Sequence, residues 1–165
     1  MARGKGRTRW PPSFPPAPPG SDPRTLQEIE GDDWGFPTVG TDLVRTCHAL
    51  RLKPLGTFSV ADLQTLIGQS ISTPILVPLA LARLEKDPLV EGDFYPGDLL
   101  ASLVGLDETY EAFWRLHPQE HRRAREVAER ALEVLREPSE LDRAGLVDTK
   151  LIEWLIESIR TFLAK

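Results

Sequence analysis

Thr73-Pro74-Ile75-Leu76-Val77-Pro78-Leu79-Ala80-Leu81-Ala82-Arg83-Leu84 runs directly into Glu85-Lys86-Asp87-Pro88-Leu89-Val90-Glu91-Gly92-Asp93-Phe94-Tyr95-Pro96-Gly97-Asp98. The first run is apolar on every side rather than along one stripe, and a helix with no polar face belongs inside protein. The second holds five carboxylates, at 85, 87, 91, 93 and 98, against one lysine. It also carries two adjacent aromatics and is punctuated by proline and glycine. The expectation is a buried central rod, including Leu79, that feeds an acidic surface loop.

On both sides of the rod the chain reads as helices. Asp22-Pro23 or the Thr25/Glu28 pair starts a short first helix with Leu26 and Ile29 facing inward. Gly31-Asp32-Asp33-Trp34-Gly35-Phe36-Pro37 breaks it in a turn whose two aromatics can dock on the core. Thr41 caps a helix to about Arg51 with an inner face of Leu43, Val44, Cys47 and Leu50. Ser59 and Asp62 form a capping box before Val60, Leu63, Leu66 and Ile67, and Gly68 stops that helix. Thr73 caps the rod, and Pro78 removes one of its backbone hydrogen bonds. Pro96 opens the next helix, with Asp98 in its first turn and Leu99, Leu100, Leu103 and Val104 buried.

The last third continues in the same way. Asp107 caps a short helix carrying Tyr110, Phe113 and Trp114. Pro118 begins a long one with a stripe of Ala124, Val127, Ala128, Ala131, Leu132 and Leu135. Ser139 and Asp142 form a further capping box before Gly145, and Asp148 opens a helix that buries Leu151, Ile152, Leu155, Ile159 and Phe162. No alternating strand pattern appears. The expected fold is all-α: a single compact domain, 22–165, of about seven or eight short helices around the apolar rod. Residues 1–21 form a disordered extension, in which a basic patch precedes six prolines between Trp10 and Gly20.

Composition narrows the function. The chain of 165 residues is long enough for a sizeable core, and 41% hydrophobic with 27% charged residues is ordinary for a soluble protein. Its longest apolar run, Pro74 to Ala82, is far short of the roughly 20 residues that span a bilayer, and no apolar segment of a secretory signal follows the first basic residues. One cysteine, Cys47, forms no internal disulfide, which fits a reducing cytoplasmic setting. The net charge is −5, but Arg3, Lys5, Arg7 and Arg9 put +4 on the first twenty residues, leaving −9 on the rest. A body this acidic repels phosphate backbones and favours encounter with basic proteins.

No catalytic or metal-binding constellation emerges. His117 and His121 have the i, i+4 spacing of paired ligands, but no third ligand is suggested, and two solvent-exposed histidines on a charged helix account for them. Cys47 and His48 are adjacent and so point about 100° apart; Cys47 reads as a small core residue. The acidic loop lacks the calcium-loop pattern, and Gly92 and Gly97 do not form a phosphate cradle. Arg51 and Lys53 follow a helix end, where cations are favoured, and a salt bridge from them to the acidic loop is an optional extra. Three readings of the loop stay open, one of them Glu91, Asp93 and Asp98 as metal ligands or a catalytic pair. Phe94 and Tyr95 ringed by acids suit recognition of a basic protein, or the loop is a solvated surface whose aromatics pack back on the domain.

The segments Asp33-Trp34-Gly35-Phe36-Pro37, Leu50-Arg51-Leu52-Lys53-Pro54-Leu55, Asp62-Leu63 with Ile67-Gly68-Gln69, Val77-Pro78-Leu79-Ala80-Leu81 and Asp87 to Leu100 occur in this order. Together they resemble the immunity proteins of contact-dependent growth inhibition, over roughly residues 25 to 104. The resemblance implies a small cytoplasmic protein with no enzymatic activity and no cofactor. It would bind a cognate toxin domain, often a nuclease and therefore basic, and block it without engaging nucleic acid or membrane. Candidate toxin contacts are Asp87, Glu91, Asp93, Phe94, Tyr95 and Asp98. Trp34, Arg51, Pro54, Gly68, Pro78, Pro96 and Gly97 are the structural positions of the motif. Residues shared by a whole family more often hold its fold, so the loop can equally be scaffold with contacts elsewhere. A separate reading makes the protein an adaptor that offers its proline-rich tail to an aromatic groove.

Overall fold

The computed structural model describes residues 10–105 and 108–165, with backbone alone for 108–111. Asp107 therefore lies outside the described residues, as do the Tyr110 side chain and the basic stretch 1–9. The described residues form nine α-helices and a short 3-10 turn, with no strand beyond an isolated bridge, so the fold is all-α with more helices than the seven or eight expected. The chain divides into two compact units, at Phe58 and Ser59.

The first unit holds α1 (Leu26–Glu30), α2 (Asp42–Leu50) and a 3-10 turn (Leu55–Thr57). Thr25 and Glu28 make the expected capping box, and Thr41 accepts from the Val44 amide. Its buried apolar residues are Leu26, Cys47, Leu50, Leu55 and Phe58. Two expectations fail here. Leu43 and Val44 are 44% and 38% exposed, because the first turn of α2 stands clear and only its last turn carries buried residues. Trp34 and Phe36 do not reach the core either. Trp34 lies over the Arg51 guanidinium at 4.2 Å, and Phe36 meets the Trp10 ring edge-on at 5.5 Å. Backbone bonds from Leu55 to Arg24, Gly56 to Asp22 and Gln27 to Arg51 clasp the start of the unit to its end.

The second unit contains α3 (Val60–Gly68), α4 (Thr73–Leu84), α5 (Asp98–Val104), α6 (Glu108–Leu116), α7 (Pro118–Arg136), α8 (Pro138–Ala144) and α9 (Thr149–Leu163). The Ser59/Asp62 box forms as expected, and α3 ends at Gly68, but the left-handed residues that turn the chain are Ser70 and Ser72. Ser72, not Thr73, caps α4. The rod packs on α3, α5 and α7, while α7 itself touches α4, α6, α8 and α9, so the centre is shared between the two. Because its neighbours lie to one side, α4 buries Leu76, Val77, Ala80, Leu81 and Leu84 and leaves Leu79 37% exposed. The reading of burial on every side is corrected.

The later stripes hold. All six stripe residues of α7 are buried, and so are Leu99, Leu100, Leu103 and Val104 of α5. In α9, Leu155, Ile159 and Phe162 are buried, while Leu151 and Ile152 are half-buried. The Ser139/Asp142 box does not form: Pro138 takes the first position of α8, which draws Ser139 inside the helix. Pro96 opens no helix, since it pairs with Glu91 and leaves Gly97 as the cap of α5.

Candidate protein-binding site

The acidic loop is a turn built around one carboxylate. Gly97 sits at φ +90°, a left-handed conformation that suits glycine, and a Cβ there would press on Leu155 and Leu89 at 3.0 and 3.2 Å. That reversal turns Asp98 inward, where it is 2% exposed. Its oxygens accept from the amides of Gly92 at 2.7 Å and Phe94 at 3.0 Å. Gly92 is needed for a similar reason, since a Cβ would stand about 3.0 Å from the same carboxylate. The Glu91–Pro96 bridge closes the base of the turn.

Three of the five loop carboxylates are thereby committed. Asp98 holds the turn, Asp87 accepts from the Leu89 amide at 3.0 Å, and Glu85 makes a two-point pair with Arg123 at 2.6 and 3.0 Å. That pair holds the Glu85 carboxyl below its ordinary range. Glu91 and Asp93 are exposed, and their carboxylates have no partner among the described residues. Phe94 at the tip is 70% exposed. Tyr95 is half-buried, with its ring edge-on to Trp154 at 6.5 Å; burial, with the Asp98 charge, raises its phenol. Of the six candidate contacts, Glu91, Asp93 and Phe94 are exposed in the turn, Tyr95 is half-buried, Asp87 is engaged by the Leu89 amide, and Asp98 is buried beneath the Gly92 and Phe94 amides.

The sequence reading misses the other wall of this surface. A groove of about 290 Å³ runs between Glu91, Phe94, Tyr95 and Pro96 on one side and Gly145, Val147, Asp148 and Leu151 on the other. Val147 is 83% exposed and Trp154 51%. A signal was present: Trp154 falls off the Leu155, Ile159, Phe162 stripe, between Glu153 and Glu157 on the outer face of α9.

The structural positions separate into two groups. In the first unit Arg51, 2% exposed, pairs with Glu30, donates to the Asp32 carbonyl at 2.8 Å and stacks on Trp34. Its charge is met there. The Pro54 carbonyl accepts the Thr57 hydroxyl at 2.7 Å. In the second, Gly68 lies against Ser102, and α4 continues through Pro78.

The nucleophile and acid/base candidates are packed, not poised. Cys47 is 5% exposed, and burial pushes its thiol up, away from the reactive thiolate. His48 sets Nδ1 3.1 Å from the Gly35 carbonyl. His117 and His121 are not two free surface histidines, since His117 stacks on Phe113 at 4.3 Å and His121 on Trp114 at 5.4 Å. Among the described residues no three His, Cys, Asp or Glu side chains gather in a metal-binding group, and no helix is long and apolar enough to cross a membrane.

The family model of the CDI immunity proteins matches residues 28–124, more than half of the chain. The chain therefore belongs to the immunity proteins of contact-dependent growth inhibition. The match extends beyond the resemblance read from the sequence, through α6 and into α7. No curated protein and no solved structure matches the chain.

Proposed function

We propose that the chain protects the cell that makes it by binding a cognate toxin domain in the cytoplasm and covering the toxin's working surface, without catalysis of its own. The family match over residues 28–124 carries this reading. The contact face is the turn at Glu91, Asp93, Phe94 and Tyr95, with Asp87 at its edge and Asp98 fixing its shape. An exposed aromatic beside two carboxylates with no partner among the described residues supplies an anchor and the charge to meet a basic partner. A nuclease is such a partner, because a phosphate-binding surface is cationic. Residues 22–165 are proposed as the immunity domain and 1–21 as an extension to it.

Co-expression with the toxin domain encoded beside its gene is the test. Rescue of growth, together with a complex of the two proteins that survives gel filtration, is the expected result. Toxicity undiminished by the immunity chain, with no complex formed, would overturn the reading.

A further inference from the structure

We propose that the groove between the Phe94 turn and the α8–α9 turn receives an arginine side chain of the toxin, and that Val147 and Trp154 decide which toxin is accepted. This rests on the immunity reading and gives it a specific site. At about 290 Å³ the groove is at the lower limit of small-ligand pockets and suits a single inserted side chain. Its chemistry is that of a guanidinium site. Glu91 offers a carboxylate with no partner among the described residues, while Phe94 and Tyr95 offer ring surface. A planar cation pairs with a carboxylate through two parallel N–H bonds and stacks on aromatic faces; an ammonium does neither as well.

The two walls differ in origin. Residues 91–96 lie within the segment matched by the family, whereas Gly145, Val147, Asp148 and Leu151 of the facing wall, and Trp154 beside Tyr95 just outside the groove, lie beyond it. The segment that the family shares supplies a common frame, and the wall beyond it is a separate place that can be fitted to one toxin. Val147 and Trp154 fit the second role: they are the large apolar side chains most exposed around the α8–α9 wall, and neither is a buried core residue. A side chain that stays open to water on its own domain is available to a partner.

The experiment uses the full chain and the purified toxin domain encoded beside it, with affinity measured by calorimetry. Val147→Lys and Trp154→Ala should each weaken binding by about tenfold or more, as loss of an interface anchor does. Val39→Lys, at an equally exposed position in the other unit, should leave affinity unchanged. Val147 is so exposed that its replacement disturbs no packing, which keeps the test valid if Trp154→Ala loses stability. In competition, arginine should displace the toxin more than lysine does at equal ionic strength. Wild-type affinity in both variants would overturn the specificity assignment and leave the immunity reading standing. Equal competition by the two amino acids would overturn the guanidinium assignment. A wild-type chain that fails to bind the toxin at all would overturn the immunity reading itself, and this inference with it.

Discussion

Asp98 and Arg51 are the charged residues buried among those described, and each has a neighbour that sets its task. Asp98 is acceptor-only and meets two backbone amides; Arg51 is donor-only and meets a carboxylate, a carbonyl and an indole face. Removing either leaves part-buried groups without partners, which costs more than a net hydrogen bond contributes. Asp98→Ala should therefore lose roughly 2–4 kcal/mol of unfolding free energy in urea titration, and Asp98→Asn about half of that, because its amide oxygen still accepts one bond. Wild-type stability in Asp98→Ala would show that the turn stands without its carboxylate. Arg51→Lys keeps the charge but loses the stack on Trp34, and should cost about 1–3 kcal/mol by the same measurement. Neither role was legible from composition. Asp98 reads as one acid among five until the left-handed Gly97 turns it inward, and Arg51 reads as a helix-end cation until its partners at Glu30 and Asp32 are seen.

Helices separate by how well their stripes predict burial. α7 has neighbours along its length, so its 3.6-residue pattern names the buried residues correctly. α2 is short and carries buried residues in its last turn alone, so an equally apolar pattern overstates its inner face. α4 fails differently: where every residue is apolar the pattern holds no direction, and the packing against α3, α5 and α7 supplies it. The consequence is a contrast within one helix. Leu81→Asp places a charge at a position with no exposure and should unfold the protein, at a cost of several kcal/mol. Leu79→Asp, on the open side, should cost clearly less, about 1–2 kcal/mol, for the part of its apolar surface that is covered. Equal losses by circular dichroism would mean that the open side of α4 is covered in solution. α7 also carries a pH response. Burial, with Arg125 adding to it, lowers the His121 imidazole below its ordinary 6.5. The folded protein then binds this proton less readily than the unfolded chain. Stability from this group is full above pH 6.5 and falls as pH drops toward the folded-state value. Denaturation curves between pH 7 and pH 5 should show that fall, and His121→Phe should flatten it while keeping the stack on Trp114. An unchanged slope in His121→Phe would assign the response elsewhere.

Charge is the property of the whole molecule that the sequence states most directly, and the structure turns it from a total into a location. The −9 carried beyond the first twenty residues is spread over helices and ion pairs, yet of the five carboxylates in the 85–98 loop only Glu91 and Asp93 have no partner among the described residues. The proposed contact face was half legible for the same reason. Its acidic turn is continuous in sequence, whereas Val147 across the groove and Trp154 against Tyr95 are some fifty to sixty residues away and meet that turn only through the fold. The extension opposes this field, since it carries +4 and no acid. Its described part belongs to the first unit, where Trp10 packs on Phe36 and Phe14 lies beside Lys53, and an aromatic pair of this kind is worth about 0.5–1.5 kcal/mol. Deleting residues 1–21 should therefore leave a folded chain that still protects against the toxin. Its net charge becomes −9, so association with a basic toxin domain should be faster than for the full chain at low salt, and the two rates should converge as salt screens the difference. Stopped-flow association at two ionic strengths measures both effects. An adaptor that works through its proline-rich tail makes the opposite prediction: loss of residues 1–21 abolishes binding at any salt, and that outcome would move the working surface from the acidic turn to the tail.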